Sequence, residues 1–304
     1  MLQKQPYWRS LILIFCLFAF TASKANDTLD YKFRKQIIIG GNAIAYTGLM
    51  SGLYFLWYAD YPMSNFHWFN DNQEWQQMDK VGHAFSCYYE GVAGIEMMKW
   101  AGFSNKQSAL IGGSYGFFIQ TGVEVLDGFS DGWGASWGDM STNAFGAALV
   151  ISQELAWQEQ RIWMKGSYSH SPYAQYRPNV LGSNFPERFL KDYNGQTYWL
   201  SGNIKSFFPE SKWPNWLNIA VGYGADGMVG GHDNIFESEG TAYDYSNIAR
   251  SRQFYISPDI DLTRIKTENK FIKGSLVVLN AVKFPLPALE YHTNEGLKGH
   301  WIHF

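Results

Sequence analysis

Between Met78 and Gly146 the chain sets six polar residues, Asp79, His83, Glu124, Asp127, Asp139 and Asn143, into segments that are otherwise apolar and rich in glycine. Asp79 and His83 are four apart, Glu124 and Asp127 three apart, and Asp139 and Asn143 four apart, so each pair shares one face of a helix. Three such helices can aim their polar pairs at one centre. Burying several unpaired acids costs several kcal/mol each, so a fold containing these helices has to supply partners for the acids.

Some of the six have ordinary explanations. Ser136-Trp137-Gly138-Asp139 ahead of an apolar run matches a capping box, and Asp79 stands where a helix begins, favoured by the macrodipole. Glu124 and Asp127 differ, because they fall at the C-terminal end of a helix, where negative charge is unfavourable. Lys80, His83 or a bound cation can each supply the compensating charge. Two arrangements satisfy the pattern. In one, Lys80 and His83 neutralise the acids, with Asn143 hydrogen-bonded among them. In the other, a hard divalent metal ion is held by His83, Asp79, Glu124 and Asp139. Such an ion would acidify a bound water for hydrolysis, with Asp127 as the base. The sequence signals no Ser or Cys nucleophile, phosphate-binding glycine loop or two-histidine zinc motif. A calcium site in the loop 128–138, using Asp127 and Asp131, is a weaker variant.

The N-terminus has Lys4 and Arg9, an apolar run from Leu11 to Phe20, and Ser23-Lys24-Ala25, which reads as a secretory signal peptide over residues 1–25. Cys16 lies within the apolar run and lacks the small residue that a lipidation site wants before it, so no lipid is expected there. Removal of the leader leaves Cys87 as the sole cysteine, a small residue in an apolar segment with no disulfide partner. Residues 36–59 carry no charge, long enough to cross a bilayer, although Asn42, Thr47, Ser51 and four glycines suit a buried helix as well. Aromatic residues make up 18% of the chain, which favours membrane interfaces or sugar-binding surfaces. A net charge of -3 offers no basic stripe for phosphates and excludes nucleic acid.

The fold expected is α+β. A membrane-leaning bundle of about four helices over residues 36–165 carries the polar constellation. Its second helix should run from Asp79 to Trp100, its third from Lys106 to Leu126 and its fourth from Met140 to about Arg161. Gly112 and Gly116 would permit close helix contact. A polar, proline-broken linker over 166–194 then leads to an antiparallel β-rich part over 195–304. Period-two runs place strands at Thr197–Phe208, Trp216–Met228, Gln253–Leu262, Phe271–Phe284 and Gly299–Phe304. The ending Ile302 to Phe304 is similar to the terminal signature of outer-membrane barrels, but five strands fall short of the eight a closed barrel needs.

The run Asp79-Lys80-Val81-Gly82-His83, then Glu124 and Asp127, then Asp139-Met140-Ser141-Thr142-Asn143 and Gly146, resembles the YfiM-like predicted periplasmic lipoprotein family, of unknown function. The resemblance covers about Phe66 to Glu154. Longer members from Bacteroidetes-type bacteria look similar across residues 192–199 and 218–224 as well. More distantly, the order of these polar residues is similar to VanZ-like membrane proteins, which implies a membrane-leaning helical unit. The family implies a periplasmic or outer-membrane-associated protein, and it carries no catalytic residues to transfer. Three functions follow as expectations: a membrane-associated envelope protein of structural or binding role, with membrane or envelope lipid as its partner; a metal-dependent hydrolase acting at the lipid interface on a lipid or cell-wall precursor; and a glycan- or protein-binding module working through the aromatic β-rich part.

Overall fold

The computed structural model describes residues 31–59, 62–238 and 240–304, so the expected leader and Cys16 lie outside the described residues. The architecture is α+β, with the long helices in the N-terminal half and an antiparallel sheet in the C-terminal half. Two compact units divide the described residues, one formed by 31–72 and 80–160 and the other by 73–79 and 161–304.

The helical unit contains α1 (Tyr31–Leu53), most of α2 (Met78–Trp100), α3 (Tyr115–Gly128) and α4 (Trp137–Trp157). The expected second helix is present with nearly the expected ends. The expected third is not continuous. A turn at Asn105–Gln107, capped by Ser104, and a π-helical turn at Ser108–Gly112 precede α3. Such π-turns insert into helices where packing or function reshapes the backbone, and here the cause is a backbone crossing. A Cβ added to Gly94 would lie 2.1 Å from the Gly112 carbonyl oxygen, and one added to Gly116 would lie 2.1 Å from the Cys87 carbonyl oxygen. Glycine at these positions lets the backbones touch, as the spacing of Gly112 and Gly116 predicts. Among the described residues no helix is long and apolar enough to cross a membrane, so the spanning alternative for 36–59 is not met. α1 instead packs Ile38 against Met98 and Ala101, and leaves Ile39 and Ile44 exposed.

In the second unit a six-stranded antiparallel sheet runs in the order β1 (Ile162–Tyr168), β2 (Gln196–Gly202), β3 (Leu217–Asp226), β6 (Ser251–Ile260), β7 (Leu286–His292) and β8 (Gly296–His303). A separate hairpin, β4 (Ile235–Ser238) with β5 (Thr241–Asp244), lies between β3 and β6 in sequence. Gly227, with φ of 74°, makes the turn after β3 that Asp226-Gly227 predicts. Residues 166–194, expected to be a linker, hold the end of β1 and the helices Pro178–Leu181 and Phe185–Lys191. The expected strand at Phe271–Phe284 is instead α5 (Lys270–Leu279), capped by Asn269, whose side chain accepts from the Phe271 and Ile272 amides.

Registers across the sheet put Lys165, Trp199, Gly222, Tyr255 and Glu290 on one face and their sequence neighbours on the other. The first face is the inner one, and it is polar. Lys165 and Asp259, both fully buried, pair at 2.8 Å, and the Ser201 hydroxyl donates to the same Asp259 oxygen at 2.6 Å. Asn218 donates to Ser201, and Asn203 to Asn218. The Lys283 ammonium sits 5.0 Å over the Trp199 ring, and burial lowers its pKa to about 8. The apolar core on this face is correspondingly small, Trp199, Ala220, Tyr255 and Ala288, and a second cluster of Ala225 with Met78 and Met228 lies on the other face.

Candidate functional site

Helices α2, α3 and α4 bring His83, Glu124, Asp139 and Asn143 together with Lys80 in the interior of the helical unit. Five side chains singled out from the sequence therefore meet. The organising cation is Lys80. Its ammonium lies 2.7 Å from Asp71 Oδ2 and 2.9 and 3.0 Å from the two oxygens of Asp139. Both Lys80 and Asp139 are buried, so the pair is only weakly screened. Hydrogen bonds from Lys80 and Ser136 draw the Asp71 carboxyl below its ordinary range, although burial alone acts in the opposite direction.

Ser136, at the N-terminus of α4, is the second organiser. Its hydroxyl accepts from the Asp139 amide at 3.2 Å and donates to Asp71 Oδ1 at 2.6 Å. The first bond is one half of the predicted capping box. The Asp139 carboxylate pairs with Lys80, and the Ser136 amide donates to Glu124 Oε2 at 2.8 Å instead. The box is thus completed from another helix.

Among the groups that shift the Glu124 carboxyl the cation is His83 and not Lys80. His83 Nδ1 is 3.9 Å from Glu124 Oε1, too far for a hydrogen bond, and that oxygen has no hydrogen-bond partner among the described residues. Burial, with 3% of the residue exposed, pushes the Glu124 carboxyl up to about 8, against the Ser136 amide and His83, which lower it. At neutral pH Glu124 therefore holds its proton, which removes the charge that the helix dipole opposes. Asp127 accepts a hydrogen bond of 2.7 Å from the Tyr58 hydroxyl, whose own pKa is raised by burial and by Asp127. Tyr58 reaches Asp127 from the turn Tyr54–Tyr58 that follows α1.

His83 Nδ1 lies 3.2 Å from Asn143 Oδ1, so with the amide in this orientation the ring donates from Nδ1, and its Nε2 lies 4.0 Å from Asp139 Oδ1. Asn143 is fully buried, and its Nδ2 has no acceptor. The Asn143 carbonyl accepts from the Cys87 thiol at 2.9 Å, and burial holds that thiol up at about 12, so Cys87 is a packing residue and not a nucleophile. Asp79, one turn before His83 on α2, belongs to the sheet-bearing unit, where the Tyr193 hydroxyl donates to its Oδ1 at 2.6 Å. Sequence reasoning missed Asp71, Ser136 as a hub, Tyr58 and Tyr193. Asp71 and Tyr58 flank an aromatic loop, and nothing in their spacing ties them to the helices.

The donor set, an imidazole nitrogen with carboxylate oxygens, is of the kind that holds a divalent ion. Lys80 already contacts both oxygens of Asp139, so an ion bound there would share that carboxylate with an ammonium. These buried side chains define a helical domain with an internal polar network. Residues 66–153, which contain Lys80, His83, Glu124, Asp127, Asp139 and Asn143, match the family described as "Predicted periplasmic lipoprotein (DUF2279)". The chain is an exported protein of the cell envelope, periplasmic or associated with the outer membrane. No curated protein and no solved structure matches it. The more distant likeness to VanZ-like proteins has no support among these comparisons.

Proposed function

We propose that this chain is a membrane-associated envelope protein of structural or binding role, whose helical unit is held together by the Lys80 network. The observation that carries the reading is the placement of the Lys80 ammonium within 3.0 Å of both Asp71 and Asp139. The cluster contains its own cation, and Glu124, neutral at pH 7, needs none. Exposed Ile39 and Ile44 on α1, with Met63 and Trp68 in the aromatic loop, support association with lipid. Fractionation of cells making the full chain tests this. The protein should sediment with membranes, resist a high-salt wash and need detergent for release. Recovery in the cytosol, or complete release in buffer, overturns it.

A second reading, metal-dependent hydrolysis at the lipid interface, is favoured by Glu124 Oε1, a buried oxygen with no donor among the described residues, 3.9 Å from the His83 ring. His83, Glu124 and Asp139 would be ligands with Asp79, and Asp127 the base. It requires stoichiometric metal in purified protein, lost in His83→Ala and Glu124→Ala. Metal-free protein that gains no thermal stability from added divalent ions excludes it.

A further inference from the structure

The six-stranded sheet has its polarity reversed. An antiparallel sheet in water packs its apolar face inward and turns polar residues out. Here the buried face carries Lys165, Asp259, Ser201 and Asn218, whereas the opposite face, covered near Ala225 by Met78 and Met228, exposes over its remaining area Ile219 and Val221 on β3, Phe254 and Ile256 on β6, and Leu289 and Tyr291 on β7. β8 continues the row with Leu297 and with Trp301, which is 90% exposed. Arg252, at one end of β6, is the only charged residue on that face of the six strands. Apolar-out with polar-in is the alternation that lipid-facing sheets adopt.

We propose that this outward face of the sheet lies against membrane hydrocarbon, a placement that rests on the membrane-associated reading and names the surface responsible. Three observations favour lipid over another protein or a second copy. First, the sheet is strongly curled around its polar face. The His303 ring on β8 stacks on Tyr255 at 4.3 Å and lies 5.7 Å from Trp199 on β2, whereas four strand spacings in a flat sheet would separate β2 from β8 by about 19 Å. The apolar face is therefore convex. Two convex copies touch along a line, but a fluid bilayer conforms to such a surface. Second, Val282, paired with Gly166 at the β1 edge, is exposed as well. Third, the exposed side chains are mainly aliphatic and aromatic, and Arg252 is the one charge on this face of the strands, whereas a sugar site groups several charged and amide side chains around its rings.

The strand edges set the depth. β1 is covered by residues 281–283, with the Gly166 amide donating to Ala281 O at 2.8 Å and the Lys283 amide to Gly166 O at 2.9 Å. β8 has β7 as its only sheet neighbour among the described residues. An unpaired strand edge finds no hydrogen-bond partners in hydrocarbon, so the sheet is seated at the interface with the β8 edge at the wet rim and does not span. Trp301 is then an interfacial anchor.

Spin labels on the full chain, with Cys16 and Cys87 replaced by serine, test the face. Outward positions Ile256, Leu289 and Leu297 and inward positions Gln253 and Lys298 are each labelled in turn, and the protein is bound to vesicles of phosphatidylethanolamine and phosphatidylglycerol. Labels at the outward positions should collide preferentially with oxygen, and those at the inward positions with a water-soluble nickel chelate. Vesicle-bound protein without this alternation overturns the face while leaving membrane association intact. Protein that stays off the vesicles, as a monomer or a discrete dimer, overturns both. Leu297→Lys gives an unlabelled check at an exposed site: it should lower vesicle binding by about tenfold with unchanged circular dichroism. Unchanged binding contradicts the proposal.

Discussion

An ammonium within 3.0 Å of two carboxylates, on a side chain only 8% exposed, is a commitment that cannot be undone one partner at a time. Lys80→Met leaves Asp71 and Asp139 facing each other without a cation and should destabilise the protein by roughly 3–5 kcal/mol, read from denaturant midpoints. Glu124 makes a separate prediction about pH. Its folded pKa of about 8 lies above its unfolded value, so between pH 4.5 and 8 the folded state binds the extra proton. The stability from this group is complete below about pH 4.5 and is lost as pH rises through 8. The slope is about 1.4 kcal/mol per pH unit, and Glu124→Gln should remove it from a urea titration taken across that window. At this scale the sequence reveals which helical residues meet, because helical spacing is a local property. It conceals who neutralises whom. The demand that Glu124 makes against the helix dipole is legible, but its solution by proton uptake depends on burial. The solution at Asp127 depends on Tyr58, 69 residues away.

Helices α2 and α3 and the π-turn before α3 cross at glycine. A methyl at Gly116 meets the Cys87 carbonyl oxygen, which is backbone and cannot swing aside, so Gly116→Ala should cost at least the 1–3 kcal/mol typical of overpacking. Gly122 is the control. An added Cβ there meets only the Tyr46 hydroxyl and Met50 sulfur, both far ends of side chains that can give way, so Gly122→Ala should change the thermal midpoint little. The long helix α2 was readable because its apolar periodicity continues for 23 residues and stops before Gly102. β1 was not, because its inward residue Lys165 looks like the close of a polar helix end and finds its partner Asp259 only in the folded sheet. β7, with Glu290 and His292 inward, is concealed in the same way. α5 follows Asn269, a capping residue whose role outweighs the β-branched run Val277-Val278.

Across the molecule, charge is drawn inward and apolar surface is left outside in each of the two units. Lys80, Asp139, Lys165 and Asp259 are buried, while Ile44, Phe118, Val221 and Leu289 are exposed. Composition hinted at this through the aromatic fraction, but the side of the sheet that faces outward depends on registers that no single strand contains. A water-exposed fold of this polarity gains little from hydrophobic burial in the sheet and needs apolar surroundings to make up the difference. The most direct measurement is thermal unfolding of the full chain, with its oligomeric state, in detergent micelles and in detergent-free buffer. A single monodisperse species with a clearly higher midpoint in micelles is the predicted result. A monodisperse protein in plain buffer, unfolding at the same midpoint as in micelles, would contradict the account.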